Sequence, residues 1–261
     1  VHAGLNRLSG DDWQSQLYPV PEAGGVGEET LEIVDRQRAV ASLKMDKLVG
    51  PIESAFRVRL YWEMHSLPEG TRVVDDTDIE TLPADGGLMA GVQLSKWGWA
   101  PSSFVHAWYR VSTGLAAYDE LAIPDSGYAA DETVRGAVQH RLAVAANHQG
   151  EGFGLLMGAY LQRFDDADDV TADIDDRWEG NLALRPQLFV GEHINLGAEL
   201  SHQWLIPDGL NPRTDTYNLP RITKLAIIPA IQPRPGSFAR PQIRVQYVAT
   251  MLNDDARLWF D

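Results

Sequence analysis

Cysteine is absent from the 261 residues. That removes disulfide frameworks, thiolate metal sites and cysteine nucleophiles together. Long hydrophobic runs are absent too, with nothing approaching the roughly 18 or more apolar residues of a spanning helix. A helical membrane protein is thereby excluded, although 44% of the residues are hydrophobic. Basic residues are the scarcer charge, 22 Lys and Arg against 37 Asp and Glu, for a formal net charge of -15. Nucleic-acid binding needs clustered cations to meet phosphate, so that partner is not expected. A secretory signal is also missing from this chain. Val1-His2-Ala3-Gly4 has no basic stretch followed by an apolar one, so a mature or trimmed product is expected.

What the chain does have is alternation. Strand side chains point to opposite faces with period two, so parity separates one face from the other. From Phe56 the apolar set is Phe56, Val58, Leu60, Trp62 and Met64, against Arg57, Arg59, Tyr61, Glu63 and His65. From Phe104 the odd positions Val105, Ala107, Tyr109 and Val111 are mostly apolar, and the even ones are Phe104, His106, Trp108, Arg110 and Ser112. The same zigzag recurs near Ala39 to Asp46, Leu88 to Ser95, Leu155 to Gln162, Leu182 to Val190, Ile194 to Ser201 and Gln242 to Met251. Weaker candidates run from His140 to Ala146 and from Thr223 to Ile231. Pro229 in the latter demands a bulge or an irregular stretch.

Two kinds of connection separate these segments. Gly150-Glu151-Gly152 and Gly191-Glu192-His193 suit hairpins, whereas Pro68 to Gly87, Ala116 to Arg135, Phe164 to Trp178 and Pro207 to Pro220 are long and mostly acidic. Short turns at one rim and long loops at the other is the asymmetry of outer-membrane barrels. Trp97, Trp99, Trp178 and Trp204 fall near strand ends, where interfacial aromatic girdles sit. The reading is therefore all-β: a transmembrane antiparallel β-barrel, with residues 1–261 forming one domain. A soluble β-sandwich that binds glycans also alternates. Mid-strand Arg57, Arg59 and Arg185, and strands of about ten residues, fit a tilted membrane crossing better.

The C-terminal third resembles the maltoporin family of sugar-specific porins. Ile222-Thr223-Lys224-Leu225 and Gly236-Ser237-Phe238-Ala239-Arg240-Pro241-Gln242-Ile243-Arg244-Val245 look like that family's strand, aromatic-Ala-Arg-Pro loop and returning strand. Phe104-Val105, Leu155 to Tyr160, Trp178 with Leu184-Arg185-Pro186, and Leu196 to Leu200 are further matches, extending the likeness over roughly Ala39 to Asp254. The resemblance implies a homotrimeric porin of the bacterial outer membrane, embedded in its lipid and without a cofactor. Malto-oligosaccharide would slide along aromatic rings flanked by hydrogen-bonding groups. Phe104 and Phe238 match aromatic slide positions, and parity independently sets Phe104 on the polar face with His106 and Trp108. Arg57, Arg59, Arg110, Arg240, Arg244 and Glu63 would form the polar track, as a cationic path or as partners of lumen carboxylates.

The chain also departs from that family, whose barrel has eighteen strands in a longer chain. Segments resembling its earliest strands, its inward-folded third loop and its last strands are not found. Open edges in lipid are forbidden by backbone hydrogen bonding, so a piece of a longer barrel is expected. The acidic stretch Phe164 to Asp176 could hold calcium, but it lacks the EF-hand spacing and reads better as a solvated loop. A membrane-embedded hydrolase of the phospholipase type would need Ser and His together. Neither Asn147-His148-Gln149-Gly150 nor Ser201-His202-Gln203-Trp204 supplies that pairing, so no enzyme is expected. Ala23 to Gly27 has no following Lys-Ser or Lys-Thr and reads as a flexible loop rather than a phosphate cradle.

Overall fold

Each alternating segment becomes a strand, and the strands pair in sequence order into one antiparallel sheet. In the computed structural model the described residues are 2–7, 18–22, 25–29, 32–33, 37–75, 78–118, 127–169, 175–211 and 215–260. The sheet begins with β1 (His2–Arg7), β2 (Gln37–Val49), β3 (Phe56–Leu67), β4 (Asp85–Trp97), β5 (Phe104–Gly114) and β6 (Val138–Gln149). It continues with β7 (Phe153–Asp165), β8 (Arg177–Val190), β9 (Ile194–Pro207), β10 (Arg221–Ile231), β11 (Ile243–Arg244) and β12 (Tyr247–Leu252), then a short helix α1 (Asp254–Phe260). β1 lies at one edge, β11 and β12 together form the other, and the sheet is not closed among the described residues. It is part of a barrel wall.

The faces are inverted relative to a soluble protein. Leu60, Ile227 and Val245 on one face are 48%, 65% and 70% exposed, whereas His65, Gln139 and Asn147 on the other are 3%, 2% and 0% exposed. Register carries the apolar face across the sheet without a slip. Met45 stands opposite Leu60, Leu60 opposite Val92, Tyr109 opposite Leu142 and Leu142 opposite Leu161. A sandwich would bury this face against a second sheet. Here it is bare, as a lipid-facing surface is, and the polar side chains turn inward.

β10 pairs Ile231 with Ile243 and Ile227 with Tyr247, so the register holds while the ladder breaks between β11 and β12. Pro229 sits at the break. Its carbonyl accepts from Val245 N–H at 3.1 Å, but proline has no N–H to return the bond. The irregularity expected at Pro229 therefore lies in the partner strand.

The short links expected at 150–152 and 191–193 are observed, joined on the same rim by 50–55 and 98–103. One connection breaks the asymmetry, since the eleven-residue loop 232–242 also springs from the short-turn rim. On the opposite rim the segment expected as one long loop, 68–87, instead carries the strands Gly70–Asp75 and Asp78–Leu82, which pair with each other. Of Ala23 to Gly27, expected to be a flexible loop, Gly25 to Gly27 lie in the strand Gly25–Glu29, antiparallel to Tyr18–Glu22, and Ala23 and Gly24 lie outside the described residues.

Among the described residues the apolar core lies beneath a loop. Residues 115–118 and 127–137, between β5 and β6, lie against the inner face, so that Leu115, Ala117, Val134 and Ala137 pack with Phe164 and Ala167. Gly87 makes room, because a side chain there would collide with the Leu115 and Ala116 backbone. Three inward side chains pin the loop. Arg38 Nη2 donates to the Leu115 carbonyl at 2.8 Å, Gln139 Nε2 donates to the Ala117 carbonyl at 2.9 Å, and Asp85 Oδ2 accepts from Val134 N–H at 2.8 Å. An inward-packed loop is thus present where the sequence resemblance offered none.

Candidate site on the inner wall

Alternation places Phe104, His106 and Trp108 on β5 with their rings inward and in succession. Phe104 stacks on His106 with centroids 4.8 Å apart and planes 22° apart, and His106 meets Trp108 at 5.6 Å in a tilted arrangement. The row extends beyond β5, because Phe238 stacks on Phe104 at 6.2 Å and 23°. Phe238 arrives from the 232–242 loop. That loop is seated by Ser237 N–H donating to Gln149 Oε1 at 3.0 Å, and by Gly154, where an added Cβ would lie 2.8 Å from Ser237 Oγ. The two aromatic positions carried over by resemblance, 134 residues apart, therefore meet. A recess of about 400 Å³ opens beside them at the short-turn rim, lined by Phe104, Phe238, Trp97 and Glu53.

Trp97 corrects the sequence reading. It was expected in the lipid-side girdle, but it pairs with Phe104 in register and shares the inner face. The Arg57 guanidinium lies over its ring, 5.6 Å from the centroid, an attraction of cation to π-face. The signal was available, since Trp97 has the parity of Gln93 and Ser95, both buried on the polar face. Trp99 and Trp178 do face outward, at 46% and 42% exposure on opposite rims, as girdle residues should. Tyr61 is a further inward ring that the sequence left without a role. It lies across Gly91, where any side chain would collide with it.

The remaining track residues divide. Arg59 is committed to Asp46, with Nε to Oδ1 at 2.6 Å and Nη2 to Oδ2 at 3.0 Å. Arg110 Nη2 donates to Gln139 Oε1 at 2.9 Å. Glu63 lies beside His65 at 3.6 Å, and His65 accepts from Arg38 Nε at 3.1 Å, so both belong to the cluster beneath the inward loop. Arg240 Nη1 donates to the Ala239 carbonyl within the 232–242 loop, and Arg244 is exposed on the edge strand β11. Only Arg57 stands directly against the aromatic row. Arg185, noted for its mid-strand charge, is bound by Glu199.

Other candidate chemistry is answered by the same geometry. His148 and His202 face outward: Trp99 Nε1 donates to His148 Nδ1 at 3.4 Å, and His202 Nδ1 meets Thr223 Oγ1 at 2.9 Å while its ring stacks on Trp204. No carboxylate is among His202's hydrogen-bond partners in the described residues, so the triad logic of a hydrolase is not assembled. Asp165, Asp176 and Asp208 bring carboxylate oxygens within 4.8 Å of one another. Arg163 already supplies the positive charge there, bonding Asp165 and lying 2.7 Å from Asp208. Asp173, part of the weighed calcium stretch, lies outside the described residues.

The 3-10 turn after β5 carries one strongly perturbed group. Burial pushes the Tyr118 phenol well above its ordinary value, and nearby carboxylates, Asp166 foremost, push it in the same direction. Its ring meets Phe164 edge-on at 5.1 Å.

Comparison with known proteins adds one positive finding. No curated protein matches the chain, but the family model described as LamB porin matches residues 37–258. That span runs from the first residue of β2 into α1, and so contains the whole aromatic row and the loop bearing Phe238. Porins are a channel family rather than an enzyme family. The chain belongs to the LamB porin family.

Proposed function

We propose that this chain forms the wall of a passive, sugar-selective channel of the bacterial outer membrane, passing malto-oligosaccharide-type chains. One observation carries the reading: Phe238, Phe104, His106 and Trp108 form a continuous inward-facing row. A sugar ring has an apolar face that stacks on an aromatic and hydroxyls that need partners when water is removed. Successive similar contacts let a chain advance without a deep trap. Arg57 and Arg110 lie on the same face and can offer donors to hydroxyls. The chain is one barrel domain in this reading, a segment of a longer wall, and acts as a homotrimer in outer-membrane lipid.

Single-channel conductance in planar bilayers tests the proposal. Millimolar maltotriose or longer chains are expected to interrupt the current reversibly. Ion current unaffected by sugar would refute selectivity and leave a general porin.

A further inference from the structure

Charge on the wall runs against charge on the chain. The whole sequence is acidic, with a net charge of -15. Yet the inner face of β2 to β6 carries Arg38, Lys44, Arg57, Arg59, Arg110 and Arg141 against Asp46, Glu63 and Asp85. The carboxylates are engaged. Asp46 is held by Arg59 through two hydrogen bonds, Glu63 neighbours His65, and Asp85 accepts from the Val134 and Gly86 amides. By count the inner face of these five strands carries more cations than carboxylates, and Arg57 is the cation beside the aromatic row.

At that row two polar atoms are buried and make no hydrogen bond among the described residues, Arg57 Nε and His106 Nδ1. His106 is stacked on Phe104, and the Arg57 guanidinium is stacked over Trp97, the register partner of Phe104. A buried donor without a partner is unfavourable, and one that is a cation more so; an acceptor that reaches the half-buried Arg57 guanidinium would relieve it. The guanidinium fork matches a carboxylate better than a hydroxyl, because both of its hydrogen bonds are then charge-assisted. Glu53 at the rim is the one opposing carboxylate of the recess. It is exposed on the turn, where solvent and salt screen it.

We infer that the slide prefers acidic saccharides, chains bearing a carboxylate such as uronate residues, over neutral glucans of equal length, with Arg57 receiving the carboxylate while Phe104 and Phe238 stack the ring. This rests on the sugar-channel reading and sharpens its substrate class. The test is current block of the full-length porin by a neutral trisaccharide, maltotriose, and by an acidic one, trigalacturonate, in the same bilayer. The acidic sugar is expected to bind about tenfold more tightly at low salt, with the margin shrinking as salt is raised. Arg57→Gln is expected to cut the preference to about twofold or less, with heat-modifiable gel mobility confirming a folded barrel.

Equal block by both sugars, or tighter block by maltotriose, overturns the inference and leaves the sugar channel standing. Block by neither overturns both. A wild-type preference for trigalacturonate that survives Arg57→Gln undiminished overturns the role of this site.

Discussion

Replacing Phe104 with alanine removes the ring that touches two others, His106 at 4.8 Å and Phe238 at 6.2 Å. A single well-placed aromatic contact contributes about 1 kcal/mol beyond the area it covers. At roughly 1.4 kcal/mol per factor of ten, a passing sugar should bind Phe104→Ala about fivefold more weakly. The fold should tolerate the change. Phe104 lines the wet face rather than a close-packed core, so the loss of stability should fall well below the roughly 3–5 kcal/mol of a core Phe→Ala. The assay is titration of channel current with maltotriose, comparing block constants. Phe153→Ala is the matched control, since Phe153 begins β7 at the same rim but points outward and is 46% exposed. The reasoning fails if Phe104→Ala blocks like wild type, or if Phe153→Ala weakens block as much.

Gly154→Val should lift the 232–242 loop, because a Cβ there lies 2.8 Å from Ser237 Oγ; sugar block should weaken while ion conductance rises, and conductance unchanged or lowered would refute the seating of that loop. Leu142→Arg, on the bare outer face at 49% exposure, should destabilise the barrel by about 2–4 kcal/mol in a urea unfolding series in lipid vesicles, where a soluble-protein surface site would show almost nothing. Tyr118 carries a phenol raised by burial, so its neutral form is the one the fold favours, and its contribution is complete below the unfolded value of about 10 and lost as pH rises beyond it. Protease nicking of the 114–137 loop should therefore increase above that pH. Tyr118→Phe should abolish this alkaline sensitivity and leave the loop at least as protected at neutral pH, since the buried hydroxyl makes no hydrogen bond among the described residues.

The strands were legible because a barrel wall obeys one local rule along its whole length. Every inward residue alternates with an outward one, so Arg57 and Phe104 could be placed without knowing any partner strand. Trp97 shows where a preference for aromatic girdles overrode that rule, although Gln93 and Ser95 already fixed its side. Phe238 could not be placed this way, since a loop residue has no parity. Its contact with Phe104 depends on Gln149 and Gly154, which are remote in sequence. The inward packing of 115–118 and 127–137 was hidden for a similar reason, being decided by Arg38, Asp85 and Gln139 on three different strands. The charge of the wall was hidden by the total, because the acidic loops outweigh the cationic strands.

Residues 115–118 and 127–137 pack inward at one end of β5 and the 232–242 loop at the other, and the eleven residues of β5 span roughly 35 Å. In the channel reading, two loops that narrow one conduit would act as resistors in line. Trimming either loop alone leaves the flow governed by its counterpart, so a large gain in permeability requires both to be shortened together.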